Sequence, residues 1–432
     1  MFSSSRAMSS LALAVLLVGL CASQAVGSSP GQALLESFNF TGVARVSDGG
    51  VDSVVWETAL GFSDIGQTVP LQLNTKFNIA SNSKLLTTIA LYQLQEAGKV
   101  NLSDSIGHYL DQTDFEAFGY PNISTYCPVL ANSSTCQVVT FVQLLGMSAG
   151  IPDNTYAYED SPFRGTIGLE VGSTITAPLL FVPGTAYYYS NPSFLLAGYF
   201  VERLSGVSYG TYIAQHITGP LNMTDTSIDF FNNQLVYDPR KAGTFHEYID
   251  ATNRSQLLAR GQCSFDFDTG AAGPAGGFLS TARDEAVLYY TLFNTTSHGR
   301  PLFRSPDSLR AIMAPTTFAF AVGPDQRVFY GQGIYVIYTR SLAAPPTTLY
   351  YEGAFICTLT VNLMDLTPMA TGGAPRLVQA FRNKDTHYVA RSDFEAAVAT
   401  QRGRFLDVES KWQFQDVVPI AQALLALFFP PS

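Results

Sequence analysis

The feature that most restricts the fold is an apolar segment at residues 81–97, early in a chain of 432 residues. Its apolar side chains recur at the spacing of a helix: Leu85, Leu86, Ile89, Ala90 and Leu94. A helix that is apolar on most of its sides must be enclosed by other elements. The sequence therefore predicts a central helix that ends at Gly98, with the rest of the domain built around it.

Strand patterns lie at both ends of the chain, and helical patterns lie between them. Residues 38–80 alternate apolar and polar side chains between glycine turns. Four more strands are predicted at Val328–Tyr338, Thr348–Leu359, Val361–Asp365 and Leu377–Phe381, and two helices at Pro192–Leu204 and Thr281–Phe293. This order predicts one α+β domain whose sheet uses both ends of the chain, with a helical region inserted between them. We expect the α/β part at about residues 31–90 and 262–432, with a mostly helical insert at 91–261.

Residues 1–27 have the pattern of a secretory signal peptide. Arg6 precedes a short apolar run, and the small residues Ala25-Val26-Gly27 suggest a cleavage site. An uncleaved anchor would require a longer run. We therefore expect a secreted, extracellular protein. Seven Asn-x-Ser/Thr sequons fit a glycosylated surface: Asn39, Asn101, Asn122, Asn132, Asn222, Asn253 and Asn294.

Four cysteines follow the expected leader, namely Cys127, Cys136, Cys263 and Cys357. Four cysteines allow three pairings. Cys127 and Cys136 would close a short loop and are the expected pair, which leaves Cys263–Cys357 by elimination. The apolar residues 417–429 are too few for a comfortable membrane span, so we expect a buried helix there and no stable membrane span.

The charge balance excludes several classes of function. The formal net charge is −10, so a basic nucleic-acid-binding protein is not expected. The five histidines form no metal-binding pattern: His108, His216, His246, His298 and His387. We expect no cofactor and no metal. The expected partner is a small-molecule or peptide substrate, and the oligomeric state stays open.

Ser81 and Lys84 form a Ser-x-x-Lys motif at the start of the predicted central helix. Their spacing puts both side chains on one helix face. A serine hydroxyl is a weak nucleophile that needs a base, and a lysine in a dry site loses its charge more readily. The start of the helix also offers N–H groups for a developing oxyanion. Taken alone, the motif equally fits a capped helix with a surface lysine.

The segment Phe77–Leu85 resembles the nucleophile helix of the serine β-lactamase and penicillin-binding-protein superfamily, most of all its class C and esterase-like branch. Pro183–Asn191 resembles the second family motif, PGT followed by YSN. The resemblance implies that Ser81 is the nucleophile, that Lys84 and Tyr189 handle its proton, and that Asn191 binds substrate. Asn191 is equally placed to cap the helix that begins at Pro192.

Four further segments resemble family landmarks in the same order, so that the resemblance covers about residues 38–365. They are Thr140–Pro152, Pro220–Thr226, Pro274–Ala282 with Asp284, and Tyr330–Gly333. The resemblance implies the β-lactamase/transpeptidase-like fold, an antiparallel sheet flanked by helices with an inserted, mostly helical subdomain, and a site between the two.

The third family motif, Lys-Thr-Gly or His-x-Gly, is matched only by Tyr351-Glu352-Gly353. Gly353 fits, and the N–H of Ala354 would complete an oxyanion hole with that of Ser81. The resemblance therefore implies Tyr351, Gly353 and Ala354 as substrate-binding residues. Because Tyr351 has no positive charge and Glu352 is acidic, a substrate with a carboxylate should bind poorly.

Two rival motifs carry less weight. Ser148 lies in a Gly-x-Ser-x-Gly sequence, which in α/β-hydrolases leads from a strand into a helix. Here the residues that follow it read as a loop. Asp268-Thr269-Gly270 resembles half of an aspartic-protease site, but no second copy supplies the other carboxylate.

The sequence therefore predicts a secreted Ser-x-x-Lys serine hydrolase that acts by acyl-enzyme transfer on ester or amide substrates, with β-lactams and D-amino-acid peptides as further candidates. The alternative is a catalytically silent glycoprotein of the same fold that acts as a binding module. Which of Lys84 and Tyr189 is the base stays open, since their titrations would be coupled.

Overall fold

The computed structural model describes residues 29–153, 167–228, 240–250, 252–253, 256–262, 273–293, 301–322, 325–339, 341–355, 357–389 and 417–430. The expected signal peptide, Asn294, Cys263, Asp268 and His298 lie outside the described residues.

An eight-stranded antiparallel sheet forms the body of the domain. Its strands are β1 Gly42–Asp48, β2 Val54–Leu60, β8 Thr317–Val322, β9 Gln326–Tyr330, β10 Tyr335–Thr339, β11 Thr348–Phe355, β12 Thr358–Asp365 and β13 Arg376–Arg382. They lie side by side in the order β2-β1-β13-β12-β11-β10-β9-β8. The first strand of the chain lies beside the last one of the sheet, β13. The predicted α+β fold with an antiparallel sheet built from both ends of the chain is confirmed.

Six shorter strands form two three-stranded sheets. They are β3 Phe77–Asn78, β4 Ser227–Ile228 and β7 Phe278–Ser280 in one, and β5 Phe245–Asp250, β6 Leu257–Gln262 and β14 Lys384–Val389 in the other. The helices are α1 Pro30–Ser37, α2 Ser83–Glu96, α3 Gln112–Ala117, α4 Phe141–Leu145, α5 Ile167–Ile175, α6 Asn191–Ser205, α7 Tyr209–Ile213, α8 Ala282–Leu292, α9 Pro306–Met313 and α10 Val417–Phe428.

Helices cover both faces of the large sheet. Successive residues of a strand point to opposite faces. In β1, Ser47 hydrogen bonds with Tyr290 of α8 over 3.0 Å between their hydroxyl oxygens. The neighbouring Val46 pairs with Trp56, whose ring stacks on Phe428 of α10. Helix α8 therefore covers one face, and α10 covers the other with α1.

Helix α2 is central, as the sequence predicts. Leu85 to Tyr92 are buried along the helix, and so is Lys84. Its neighbour α6 comes from the predicted helical insert and packs along it, and the ring centre of the fully buried Phe194 lies 5.6 Å from the Nζ of Lys84. The insert also contains strands β5 and β6. Together these contacts place the start of α2 between the sheet and the helices of the insert.

The C-terminal helix α10 packs on the sheet through the fully buried residues Ile420, Ala421 and Leu424. Phe429 follows the end of the helix, and its ring centre lies 4.2 Å from the guanidinium of Arg376. This agrees with the predicted buried helix. Within the part of the chain that the structure describes, no helix is both long and apolar enough to cross a membrane.

The prediction of a single strand at Val328–Tyr338 is wrong, because two strands occupy that range. Strand β9 ends at Tyr330 and β10 begins at Tyr335, with a turn between them. Gly333 has φ +71° in this turn, where a Cβ would lie 2.2 Å from the hydroxyl of Thr88 on α2. The turn therefore docks on the central helix, a contact that strand periodicity does not reveal.

The cysteines Cys127 and Cys136 form the predicted disulfide, nine residues apart in the chain. Cys357 is also disulfide-bonded, but its expected partner Cys263 lies outside the described residues. That second pairing stays a prediction.

We expect the double variant Cys127→Ser/Cys136→Ser to unfold with a free energy about 2–3 kcal/mol lower, because the short cross-linked loop limits the entropy of the unfolded chain. Urea unfolding followed by circular dichroism measures this change. Equal stability of the variant and the parent protein would contradict the expectation.

Candidate active site

A strained turn presents Ser81 at the start of α2. Ala80 has φ +45°, a left-handed conformation that is uncommon for alanine, and its N–H donates to Oδ1 of Asn78 at 2.8 Å. The 3₁₀ turn Ala80–Asn82 then runs directly into the helix. Ser81 is half-buried, so its hydroxyl stays accessible.

Lys84 is fully buried one helical turn later. Its Nζ donates to Oγ of Ser81 at 3.1 Å, to Oδ1 of Asn191 at 2.7 Å and to the carbonyl of Ala275. Burial lowers the pKa of Lys84 to about 7, although the negative charge of Asp153 opposes the shift. An amine with this pKa exists in both protonation states near neutral pH, so it is able to accept the proton of Ser81.

Tyr189 reaches the same serine from the loop before α6. Its hydroxyl donates to Oγ of Ser81 at 2.7 Å. Burial raises the pKa of Tyr189 well above its usual range, while hydrogen bonds with Ser81 and Tyr351 oppose the shift. Tyr189 is therefore a neutral hydrogen-bond donor at neutral pH, and the Nζ of Lys84 lies 5.0 Å from its ring centre.

Asn191 connects Lys84 to a carboxylate that the sequence analysis missed. Its Oδ1 accepts from Lys84, and its Nδ2 donates to Oδ2 of Asp153 at 3.3 Å. Asp153 follows the landmark segment that ends at Pro152, and adjacency to that segment was its only sequence signal. The suggested capping role of Asn191 is wrong: Ser190 is the N-cap, and its hydroxyl accepts from the N–H of Ser193.

Ala275 is the second site residue that the sequence analysis missed. It contributes its backbone carbonyl, which almost any residue type would supply, so the residue type does not identify it. It belongs to the landmark Pro274–Ala282, and the neighbouring Pro274 carbonyl accepts from the hydroxyl of Thr87 at 2.7 Å. This segment therefore seals one side of Lys84 and supplies an acceptor there.

The Gly-x-Ser-x-Gly sequence has a structural role. Ser148 is buried in a turn after α4, and the carbonyl of Ser148 accepts from the N–H of Gly184 at 2.8 Å. Its neighbour Met147 accepts through its carbonyl from Tyr188, and its Sδ accepts from the N–H of Ser190. The α/β-hydrolase interpretation is wrong, because this turn holds the Tyr189 loop instead of leading from a strand into a helix.

Strand β11 passes directly beside the Ser81 turn. A Cβ on Gly353 would lie 2.2 Å from the carbonyl oxygen of Ile79 and 2.7 Å from the hydroxyl of Thr360. Only glycine permits this approach. The approach brings the next residue, Ala354, beside the start of α2.

The N–H of Ala354 points to the open side of β11. The N–H of Leu366 donates to the carbonyl of Thr347, so that carbonyl points towards β12. Backbone groups along a strand alternate between its two sides, so every second residue from Thr347 up to Gly353 also points towards β12. Ala354 then directs its N–H the other way. Among the described residues β10 pairs with β11 only as far as Tyr350, so Ala354 lies beyond the paired part of β10. Its N–H is therefore available, with the N–H of Ser81, to hold an oxyanion.

Tyr351 lies behind the site, buried, and its hydroxyl is 2.6 Å from that of Tyr330. Tyr351 also lies close enough to Tyr189 to oppose the rise in the pKa of that tyrosine, whose hydroxyl donates to Ser81. The structure thus places Tyr351 against Tyr189, the tyrosine that contacts the serine. Glu352, on the opposite face of the strand, has its pKa raised to about 8 by burial.

The other residues singled out in the sequence are histidines and sequon asparagines. His216 stacks on Tyr212 with ring centres 4.3 Å apart. No group of three or more His, Cys, Asp or Glu side chains suited to a metal occurs within the described ranges. Five sequon asparagines are exposed: Asn101, Asn122, Asn132, Asn222 and Asn253. Asn39 is half-buried, and its side-chain oxygen accepts from Lys384.

Comparison with known proteins identifies the family. The sequence model of the Beta-lactamase family matches residues 33–364, more than half of the chain. This chain belongs to the Beta-lactamase family. It is 27% identical over 179 residues to Protein flp of Staphylococcus aureus strain MRSA252, a match covering 41% of this chain and 33% of the relative. The chain thus spans about a third of the length of that curated relative.

Solved structures confirm the β-lactamase/transpeptidase-like fold. A penicillin-binding protein from Bacillus halodurans superposes with a TM-score of 0.63 at 22% identity, covering 87% of this chain and 99% of the other. A D-amino acid amidase from Ochrobactrum anthropi SV3 superposes with a TM-score of 0.63 at 18% identity, covering 91% and 94%. The resemblance inferred from the motifs is confirmed, and the compared structures include a penicillin-binding protein and an amidase.

We expect Gly353→Ala to slow the reaction of Ser81 with a fluorophosphonate by about 100-fold, because the added Cβ pushes β11 and the Ala354 N–H away from the serine. The labelling rate, followed by fluorescence in gels, measures this. Gly50→Ala, in the turn after β1, is the matched control and should label normally. Normal labelling of Gly353→Ala would contradict the proposed place of Ala354.

We expect the labelling rate of Ser81 to rise with pH through about 7, since Lys84 loses its proton there and becomes a base. Lys84→Met removes that base and should lower the rate by about 100-fold or more. Rates measured between pH 5 and 9 test both points. A rate in the parent protein that stays flat from pH 6 to 8 would exclude Lys84 as the titrating base.

Proposed function

We propose that this protein is a secreted serine hydrolase that forms an acyl-enzyme on Ser81 with ester or amide substrates. The observation that carries the proposal is the double contact to Oγ of Ser81, from Lys84 at 3.1 Å and from Tyr189 at 2.7 Å. A buried lysine with a pKa of about 7 beside a serine is an arrangement suited to activating a nucleophile.

In the proposed first step, Oγ of Ser81 bonds to the carbonyl carbon of the substrate while its proton passes to Nζ of Lys84. The N–H groups of Ser81 and Ala354 hold the negative carbonyl oxygen. The leaving group then departs with a proton donated by the hydroxyl of Tyr189, which Lys84 restores. This yields the Ser81 ester and a free alcohol or amine.

In the second step a water molecule attacks the Ser81 ester, with Lys84 and Tyr189 again handling the proton. The acid product leaves, and Ser81 recovers its hydrogen. No cofactor takes part in this scheme. Asn191 contributes by holding Lys84 against the serine, with Nδ2 bonded to Asp153.

The substrate is expected to lack a carboxylate near the scissile bond. Tyr351 stands where the family has a cation and is buried against Tyr189, and Glu352 adds an acidic group on the same strand. Penicillins and peptide C-termini carry such a carboxylate, so neutral esters and amides are the better candidates. The relative that is a D-amino acid amidase supports including amides.

A second candidate function is a silent binding glycoprotein. The specific observation in its favour is the same Tyr351-Glu352-Gly353 sequence, in which the family's cation is missing. The retained contacts among Ser81, Lys84 and Tyr189 favour the enzyme.

Fluorophosphonate labelling and peptide mapping of the purified secreted protein should place the label on Ser81, and Ser81→Ala should lower hydrolysis of 4-nitrophenyl butyrate by about 1000-fold or more. Ser148→Ala is the matched control and should retain both activities. Label on Ser148 would contradict the site. A folded protein that takes no label and hydrolyses no ester would favour the silent glycoprotein.

A further inference from the structure

Asn82, the residue directly after the proposed nucleophile Ser81, is hydrogen-bonded on both sides of its side-chain amide. The residue is only 1% exposed. Its Nδ2 donates to Oγ1 of Thr360 at 2.9 Å and to the carbonyl of Ile79 at 3.2 Å. Its Oδ1 accepts from Nδ2 of Asn362 at 3.1 Å. Since Thr360 and Asn362 both belong to β12, this one side chain joins the turn that presents Ser81 to the large sheet.

A row of buried polar side chains fixes the direction in which the Asn82 amide points. The Nδ2 of Asn362 has two hydrogens, and the second one is donated to Oε2 of Glu285 on α8 at 3.0 Å. The Oδ1 of Asn362 accepts from Nε2 of Gln379 on β13 at 2.7 Å. The oxygen of Asn82 must therefore face Asn362, and its nitrogen must face Thr360. A buried network that is bonded in this way favours a single arrangement of its members.

Thr360 lies directly opposite Gly353 in the pairing of β12 with β11. Its hydroxyl donates to the carbonyl of Ile79 at 3.2 Å and accepts from Asn82, so it contacts the turn both before and after the serine. A Cβ on Gly353 would lie 3.0 Å from Nδ2 of Asn82. The three side chains that join the turn to the sheet, Asn82, Thr360 and Asn362, are called the amide clamp below.

Both proposed oxyanion donors adjoin the amide clamp. Ser81 precedes Asn82 in the turn, and Ala354 follows Gly353 in β11. Two N–H groups stabilise one oxyanion only when both lie within hydrogen-bond distance of it. Because the clamp bonds the turn to β12 at the level of Gly353, it limits how far the two N–H groups can separate.

We propose that Asn82 is a positioning residue, which holds the N–H groups of Ser81 and Ala354 at the separation that an oxyanion requires. The inference rests on the proposed function and adds the residue that fixes the geometry of the two donors. Because Asn82 is buried, it acts through the backbone of the turn and does not bind the substrate itself. Loss of the clamp therefore slows the chemical steps and leaves substrate binding unchanged.

The hydroxyl of Thr360 allows a test with little change of shape, since valine resembles threonine but has no hydroxyl. We expect Thr360→Val to lower kcat for 4-nitrophenyl butyrate by about tenfold with KM unchanged, because both the acylation and the hydrolysis step need the oxyanion donors. Thr360→Ser keeps the hydroxyl and should recover most of the rate. Asn82→Ala should cause a similar loss. The double variant Asn82→Ala/Thr360→Val should lose no more than the weaker single variant, since both substitutions break the same clamp.

Ser47→Ala is the matched control, because it removes another buried hydroxyl from the same face of the large sheet. Ser47 bonds to Tyr290 and does not belong to the clamp. It should lower the melting temperature, as the clamp variants do, and keep kcat. An unchanged kcat in Thr360→Val, or an equal loss in Ser47→Ala, would overturn the inference and leave the hydrolase intact.

Crystal structures of the parent protein, Thr360→Val and Ser47→Ala separate the inference from catalysis. We expect the distance between the backbone nitrogens of Ser81 and Ala354 to change by about 0.5 Å or more in Thr360→Val, and to stay the same in Ser47→Ala. That result without any ester hydrolysis by the parent protein would overturn the proposed function alone. An unchanged distance in Thr360→Val would overturn the inference, whatever the activity.

Discussion

The burial of the Lys84 ammonium group is the constraint on which the rest of the site depends. Taking a lysine out of water disfavours its charged form, and this desolvation lowers its pKa to about 7. The cost of burial is limited because the Nζ has three acceptors: Oγ of Ser81, Oδ1 of Asn191 and the carbonyl of Ala275. They come from the start of α2, the start of α6 and the loop before β7. The helical insert and the sheet must therefore meet at α2 for the lysine to stay both dry and bonded.

The sequence was sufficient for the part of the site that is encoded locally. Ser81 and Lys84 are one helical turn apart, so their proximity follows from the helix alone. Tyr189 and Asn191 were found through a motif that resembles the family's, and the structure brings both to Lys84 or Ser81. Asp153 gave no comparable signal, since a single aspartate after a proline is ordinary loop sequence. Its proximity to Asn191 depends on tertiary packing.

Strands β9 to β12 show the same limit of sequence-based prediction for the fold. Apolar alternation predicted one strand at Val328–Tyr338, where β9 and β10 are two strands, and it put the break between Thr348–Leu359 and Val361–Asp365 at residue 360, although β11 ends at Phe355 and β12 begins at Thr358. Two glycines show what the pattern misses. Gly333, in the turn between β9 and β10, is required by the approach to Thr88 on α2, and Gly353, within β11, by the approach to the Ile79 carbonyl. The period of apolar residues shows which face of a strand is buried. It does not show where the backbone of one element packs closely against another element.

The two groups that contact Ser81 have pKa shifts in opposite directions. A family member with lysine or histidine at the position of Tyr351 has a positive charge beside the tyrosine, and such a charge favours the phenolate. Tyr351 supplies a neutral hydroxyl instead, and burial keeps the pKa of Tyr189 well above its usual range. Tyr189 therefore stays protonated where Lys84 is already losing its proton. Although the two titrations are coupled, the opposite directions of their shifts favour Lys84 as the base and Tyr189 as the donor.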